Sequence, residues 1–301
     1  MPELPDIVVY IEALERRTLG QTLEHIRLKS MFLVRSVDPP ISALVGQRVN
    51  RLQRLGKQIV IGFEHDLYAV IHLMIAGRLQ WKDRGAALKG KNELAAFDFS
   101  SGSLVMTEAG TKKRASIHVV RGAERLQMFD RHALEIFSAN LPDFSNTLRR
   151  ENHTLKRSLT DPHLFSGIGN AYSDEILHQA RLSPMKLTST LTEGEIQTLF
   201  DACRSVLSQW TDRLRRQTGD SFPSKVTAFH SEMAVHGRYG KPCPECGSPV
   251  QRIVYAENEC NYCAHCQTAG KLLADRALSR LLKSDWPRSI DEMEKHFEDR
   301  R

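Results

Sequence analysis

QIVIGFEHDLYAVIHL, residues 58–73, is the stretch that decides the fold of the first half of this chain. Two short apolar runs, QIVIGF and LYAVIHL, flank the polar break Glu64-His65-Asp66. Both are rich in β-branched and aromatic residues and too short for a packed helix, so they read as paired strands. Comparable runs lie on either side: LEHIRLK at 23–29, LAAFDF at 94–99 and SLVMTEAG at 103–110. In front of them, Ile7, Tyr10, Ile11 and Leu14 share one face of a helix over 5–18, and Gly20 stops it. Several short strands behind one helix predict a β-sandwich spanning 1–140. A helical stretch from 124 to 140 closes it, and LPDFSN (141–146) is read as a linker.

The second half changes character. Residues 146–160 and NAYSDEILHQARL (170–182) are predicted helices joined through the tight turn Ser166-Gly167-Ile168-Gly169. Thr192 and Glu195 fit a capping box. The amphipathic helix it opens buries Ile196, Leu199, Phe200, Cys203, Leu207 and Trp210, with Arg213, Arg215 and Arg216 near its C-terminal end. These elements define a helical domain over 141–234, a cysteine-rich module over 235–271 and a charged helical tail over 272–301. The fold class is thus α+β and multidomain.

Of the 301 residues, 41% are hydrophobic and 26% charged, which places the chain among ordinary globular proteins. No run approaches the roughly 20 apolar residues a membrane span needs, and the start lacks a signal-peptide layout, so a cytoplasmic protein with no membrane partner is expected. A net charge of +6 permits a polyanionic partner without requiring one.

Five of the six cysteines fall between 243 and 266. Cys243-Pro-Glu-Cys246 and Cys263-Ala-His-Cys266, sixteen residues apart, are two C-x2-C knuckles spaced for one structural zinc ion with four thiolates and no open position. The intervening segment becomes a hairpin pinned by the metal. Cys260 also sits at x2 spacing from Cys263, but the more usual separation leaves it as a free thiol.

The N-terminus carries a different chemistry. Removal of Met1 exposes Pro2, whose ring nitrogen is then a secondary amine titrating near ~8 and partly uncharged at neutrality. Attack of such an amine on a sugar C1′ forms an iminium, an electron sink that eases elimination of neighbouring phosphates. Glu3 is a carboxylate placed for acid–base work beside it. Backbone N–H groups after Gly169, with the Asn170 side chain, can grip a phosphate. Lys112-Lys113-Arg114 is a basic run between strands.

Taken together, the Pro-Glu start, the β-rich first half, GIGNAYSDE on a helix–turn–helix and the four-cysteine finger resemble the formamidopyrimidine-DNA glycosylase/endonuclease VIII family of base-excision repair. The similarity runs from Met1 to about Lys271. It implies Pro2 as the Schiff-base nucleophile, Glu3 as the acid that assists ring opening, and Lys57 as a phosphate-contacting lysine that supports elimination. It also implies phosphate contacts at Lys156 and Asn170, and damaged double-stranded DNA bound by a nucleoid-associated monomer. The implied reaction is base excision followed by β,δ-elimination, with no cofactor beyond structural zinc.

Two departures stand out. The family's finger arginine, five residues before the third zinc cysteine, is Asn258 here, which still donates hydrogen bonds but neutralises no charge. The void-filling segment reads His72-Leu73-Met74-Ile75-Ala76-Gly77, offering Met74 or Ile75 as the wedge, and Thr111–Ala115 holds no aromatic. These departures motivate an alternative: a non-catalytic or lesion-shifted binder of abasic DNA on the same scaffold. A zinc-ribbon structural protein accounts for the finger and the charge but leaves Pro2-Glu3 without a purpose.

Overall fold

Each of the apolar runs finds a partner strand. The computed structural model describes residues 1–223, 226, 229–255, 258–273, 289 and 292. It forms two compact units: Met1–Ala133 with Ser208–Ala228, and Leu134–Leu207 with Phe229–Arg301.

In the first unit, α1 (Leu4–Thr18) precedes β1 (His25–Leu28), β2 (Val49–Leu55), β3 (Gln58–Phe63), β4 (Leu67–His72), β5 (Gly77–Lys82), β6 (Glu93–Phe99), β7 (Gly102–Glu108) and β8 (Ser116–Arg121). They make two four-stranded antiparallel sheets, ordered β1-β6-β7-β5 and β2-β3-β4-β8. Ile59, Ile61 and Phe63 of β3 point into the main core with Ile71, Ile117, Phe97, Leu104 and Met106. Val60, Val70 and Val120 point the other way and are covered by Leu126 and Phe129. Sheet β2-β3-β4-β8 is therefore buried on both faces around β3. That is why QIVIGF is continuously apolar instead of alternating. From α1, Ile7, Tyr10, Ile11 and Leu14 enter the same core, as their helical spacing requires.

The stretch after β8 differs from expectation. The helix expected over 124–140 shrinks to α2 (Ala123–Gln127). LPDFSN is not a linker: it opens α3 (Leu141–Arg149). The Asn140 side-chain oxygen accepts the Asp143 N–H at 2.8 Å, and Pro142 sits in the first turn, where its missing N–H costs nothing. The single helix expected over 146–160 is two, because Thr154 caps a new one, α4 (Leu155–Thr160). Then come α5 (Asn170–Gln179), α6 (Glu193–Thr218), the hairpin β9 (Val250–Tyr255) and β10 (Asn258–Cys263), and α7 (Ala264–Thr268).

The Thr192–Glu195 box forms as expected, the Thr192 N–H donating to Glu195 Oε2 at 3.0 Å and the Glu195 N–H to Thr192 Oγ1 at 3.2 Å. Cys203 is fully buried in α6. The expected tail helix lies, from 274 on, outside the described residues apart from 289 and 292. No helix among the described residues is long and apolar enough to cross a membrane.

Candidate active site and metal centre

Pro2 and Glu3 are buried at the head of α1. Glu3 is the N-cap residue and forms a capping box with Asp6, whose Oδ2 accepts the Glu3 N–H at 2.8 Å. This box fixes the approach of the chain's first residues to the helix. The terminal amine, carried by Met1 in the full chain, has its pKa lowered chiefly by burial. The cations of Arg78 and Lys57 lower it further, while Glu3 and Asp6 oppose them. Burial pushes the Asp6 carboxyl up to about 7. Its Oδ1 is buried without a hydrogen-bond partner.

Lys57 lies in the turn between β2 and β3, and the register pairs the adjacent Gln58 with His72. Burial first, then the charges of Lys57, Arg131 and His118, depress His72 to about 4. At neutrality His72 is a neutral imidazole, and its Nδ1 accepts the Met74 N–H at 3.0 Å. That hydrogen bond helps set the turn bearing Met74, at φ +52°, and Ile75, which is 60% exposed. Gly77 closes the turn, since a Cβ there would meet the Leu73 carbonyl oxygen at 2.1 Å.

Lys112, Lys113 and Arg114 form an exposed loop. The backbone N–H of Arg114 donates to the buried Glu108 carboxylate at 2.9 Å, and Lys113 Nζ donates to the Glu108 carbonyl. Thus Pro2, Glu3, Lys57, Met74, Ile75 and the basic loop all belong to the first unit. Arg78, Asp6 and His72 escaped the sequence reading. Pairing QIVIGF with LYAVIHL would have found His72, and the Glu3-x-x-Asp6 spacing would have flagged Asp6.

In the second unit Gly167, at φ +80°, makes the turn that a side chain would strain, and α5 starts at Asn170. One Nδ2 hydrogen of Asn170 goes to the Glu259 carbonyl at 2.9 Å. Lys156 is turned inward. Its ammonium donates to Asn170 O at 2.7 Å, Ser173 Oγ at 2.8 Å and Asp174 Oδ1 at 2.5 Å. A lysine has three N–H bonds, so all three are engaged inside the protein in this geometry. Asp174 Oδ2 also accepts from His236 Nδ1 at 2.8 Å and from the Asn261 N–H at 3.1 Å. Asn258 opens β10 and pairs with Tyr255; its side chain lies outside the described residues. Arg252, opposite Asn261, is stacked 4.3 Å from the centroid of Tyr239.

The knuckles converge. The four sulfurs of Cys243, Cys246, Cys263 and Cys266 lie within 4.8 Å of one another. Cys243 and Cys266 are 4.0 Å apart, Cys246 and Cys263 3.4 Å. Metal–sulfur bonds of ~2.3 Å in a tetrahedron set sulfurs about 3.8 Å apart, so this quartet fits one metal ion. Cys260 faces away, buried with Ile253 and Tyr262.

Residues 1–115 match the family profile described as formamidopyrimidine-DNA glycosylase N-terminal domain, and residues 135–217 that described as formamidopyrimidine-DNA glycosylase H2TH domain. Formamidopyrimidine-DNA glycosylase from Thermus thermophilus is 31% identical over 283 residues, covering 90% of this chain and 100% of its own. The chain belongs to the formamidopyrimidine-DNA glycosylase/endonuclease VIII family. An uncharacterized formamidopyrimidine-DNA glycosylase-like protein of Mycobacterium tuberculosis is 42% identical over 141 residues, 47% of this chain and 87% of its own. Among solved structures, the LlFpg protein in complex with a THF-DNA and an inhibitor superposes with a TM-score of 0.79 at 25% identity, covering 89% of this chain and 100% of that one. The helix-leading β-sandwich, the α4–α5 turn and the four-cysteine hairpin are thus a family architecture.

Proposed function

We propose that this protein is a DNA glycosylase with AP-lyase activity that excises a damaged base from double-stranded DNA through Pro2. The observation that carries the reading is the setting of the N-terminus within the family's N-terminal domain. A buried amine has its proton affinity lowered, with Glu3 beside it and the cations Arg78 and Lys57 nearby. Removal of Met1 leaves the Pro2 nitrogen in these surroundings as a secondary amine, where burial favours the uncharged form.

The Pro2 nitrogen attacks C1′ of an extruded nucleotide, the N-glycosidic bond breaks, and the base departs with that electron pair and a proton. Glu3 delivers a proton to O4′ as the sugar ring opens, leaving an iminium. Loss of a C2′ proton then expels the 3′ phosphate, and a second elimination expels the 5′ phosphate. Water finally releases Pro2. The cations of Lys57 and the 112–114 loop offset phosphate charge near the reacting sugar. Half-buried Met74 or exposed Ile75, on a turn held by His72, enters the gap left in the base stack. Asn170 contributes its second Nδ2 hydrogen to a phosphate, and the Asn258 amide takes a neutral donor's part at the finger tip. Zinc is the ion suited to four thiolates; it supplies no chemistry to the reaction and holds the hairpin in shape.

The test is borohydride reduction on duplex DNA holding an abasic site. Reduction of the iminium fixes protein to DNA as a stable amine, so a covalent adduct is expected from the wild type, along with strand cleavage in its absence. Tight binding with neither adduct nor cleavage would favour the binding-only alternative.

A further inference from the structure

Among the described residues, one buried side chain outside the reacting set is aimed at the metal centre. His178, in the last turn of α5, is 6% exposed, and its Nε2 lies 3.3 Å from Cys243 Sγ. Four thiolates around one divalent ion carry a net charge of −2. Cys243 and Cys263 are the two buried members, 2% and 0% exposed, so charge on their sulfurs is held away from water. Buried charge is tolerated when hydrogen bonds reach it. Cys263 Sγ accepts the Cys266 N–H at 3.5 Å, inside its own knuckle. Cys243 Sγ has the imidazole.

We propose that His178 is a positioning residue of the metal centre, donating its Nε2–H to the Cys243 thiolate and so tying metal binding to α5. This rests on the reading of the quartet as a zinc site. The four sulfurs complete a tetrahedron, so the imidazole acts on a ligand and not as one. The same helix holds the finger at other points. Glu175 accepts the N–H groups of Ala234, Val235 and His236 at 2.7, 2.9 and 2.9 Å, ahead of the first knuckle. Asp174 accepts the Asn261 N–H, two residues before Cys263. Gln267 accepts the Cys263 N–H at 2.8 Å and donates to Leu182 O at 2.9 Å, just past the end of α5. These anchors set the backbone, whereas His178 alone among them touches a ligand sulfur. Groups that hydrogen-bond a metal's ligands in this way are worth roughly 10–100-fold in metal affinity.

The experiment measures zinc affinity of the full chain by chelator competition in wild type, His178→Leu and His178→Gln. Leucine fills space without a donor; glutamine places an amide N–H close to the Nε2 position. A loss of roughly 10–100-fold is expected for His178→Leu, with most of it restored in His178→Gln. Cobalt(II) substitution supplies a readout that packing alone would not move. Losing an N–H···S bond enriches the sulfur in electrons, so the thiolate-to-cobalt charge-transfer band should shift to lower energy in His178→Leu and return in His178→Gln. Unchanged affinity and band in His178→Leu, or equal losses in both variants, overturn the proposal while leaving the zinc reading intact. A wild type that takes up no zinc overturns both.

Discussion

Lys156→Met is the most informative single substitution outside the N-terminus. The Lys156 side chain is 12% exposed and that of Asp174 is fully buried, with 2.5 Å between Nζ and Oδ1. Removing one partner of a buried ion pair typically costs about 3–5 kcal/mol, because the other charge is stranded. Here Asp174 keeps His236 Nδ1 and the Asn261 N–H, so the cost falls to about 2–3 kcal/mol by the same reasoning. At 1.4 kcal/mol per factor of ten, amide hydrogen exchange in α5 should quicken by roughly 30- to 150-fold. The salt dependence of binding to abasic DNA supplies the contrast. A lysine that met a phosphate would take about 0.9 from the log–log slope when removed. An inward lysine takes well under half of that. Unaltered exchange in α5 together with a slope flatter by about 0.9 would refute the inward assignment and return Lys156 to direct phosphate contact.

Three other outcomes follow from named contacts. Asp6, raised to about 7 by burial, keeps a proton in the folded chain that the unfolded chain releases near 3.9. Its contribution to stability therefore falls as pH rises from about 4 to about 7 and levels off above. Asp6→Asn should flatten that slope in thermal melts between pH 5 and 8, and an unchanged slope would contradict the assignment. Gly77→Ala pushes a methyl into the Leu73 carbonyl at 2.1 Å, so the Met74–Ile75 turn must shift. Abasic-DNA binding should weaken, while a fluorescence titration matching wild type would show that the turn is not used. Thr192→Ala removes the hydroxyl that accepts the Glu195 N–H at 3.2 Å and should lower stability by about 1 kcal/mol in urea unfolding.

How much of this was readable beforehand depends on whether the cause was local. QIVIGF and LYAVIHL named their strands because β-branched runs need a sheet, and the two knuckles named their four sulfurs because C-x2-C spacing is a ligand geometry. The Thr192–Glu195 box was visible because both partners are three residues apart. The same kind of signal is present at Asn140, Pro142 and Asp143, but Pro, Asp, Ser and Asn serve turns as well as helix starts, so LPDFSN alone does not separate a linker from a capped helix. Lys156 could not be read as inward, since its partner is eighteen positions away and only the α4–α5 turn brings them together. His178 was invisible for the same reason, with 65 residues between it and Cys243. The setting of the N-terminal amine likewise needs β5 to carry Arg78 and the β2–β3 turn to carry Lys57.

Residue-level mapping of the borohydride adduct puts the central assignment to its hardest trial. Protein reduced on abasic DNA is digested, and the modified peptide is sequenced by mass spectrometry. The adduct should sit on the nitrogen of residue 2 in a peptide lacking Met1, and Pro2→Ala, with a primary amine in its place, should form it more slowly. An adduct carried by Lys57 or any other lysine, or one formed with Met1 still attached, would contradict the assignment of Pro2 as the nucleophile.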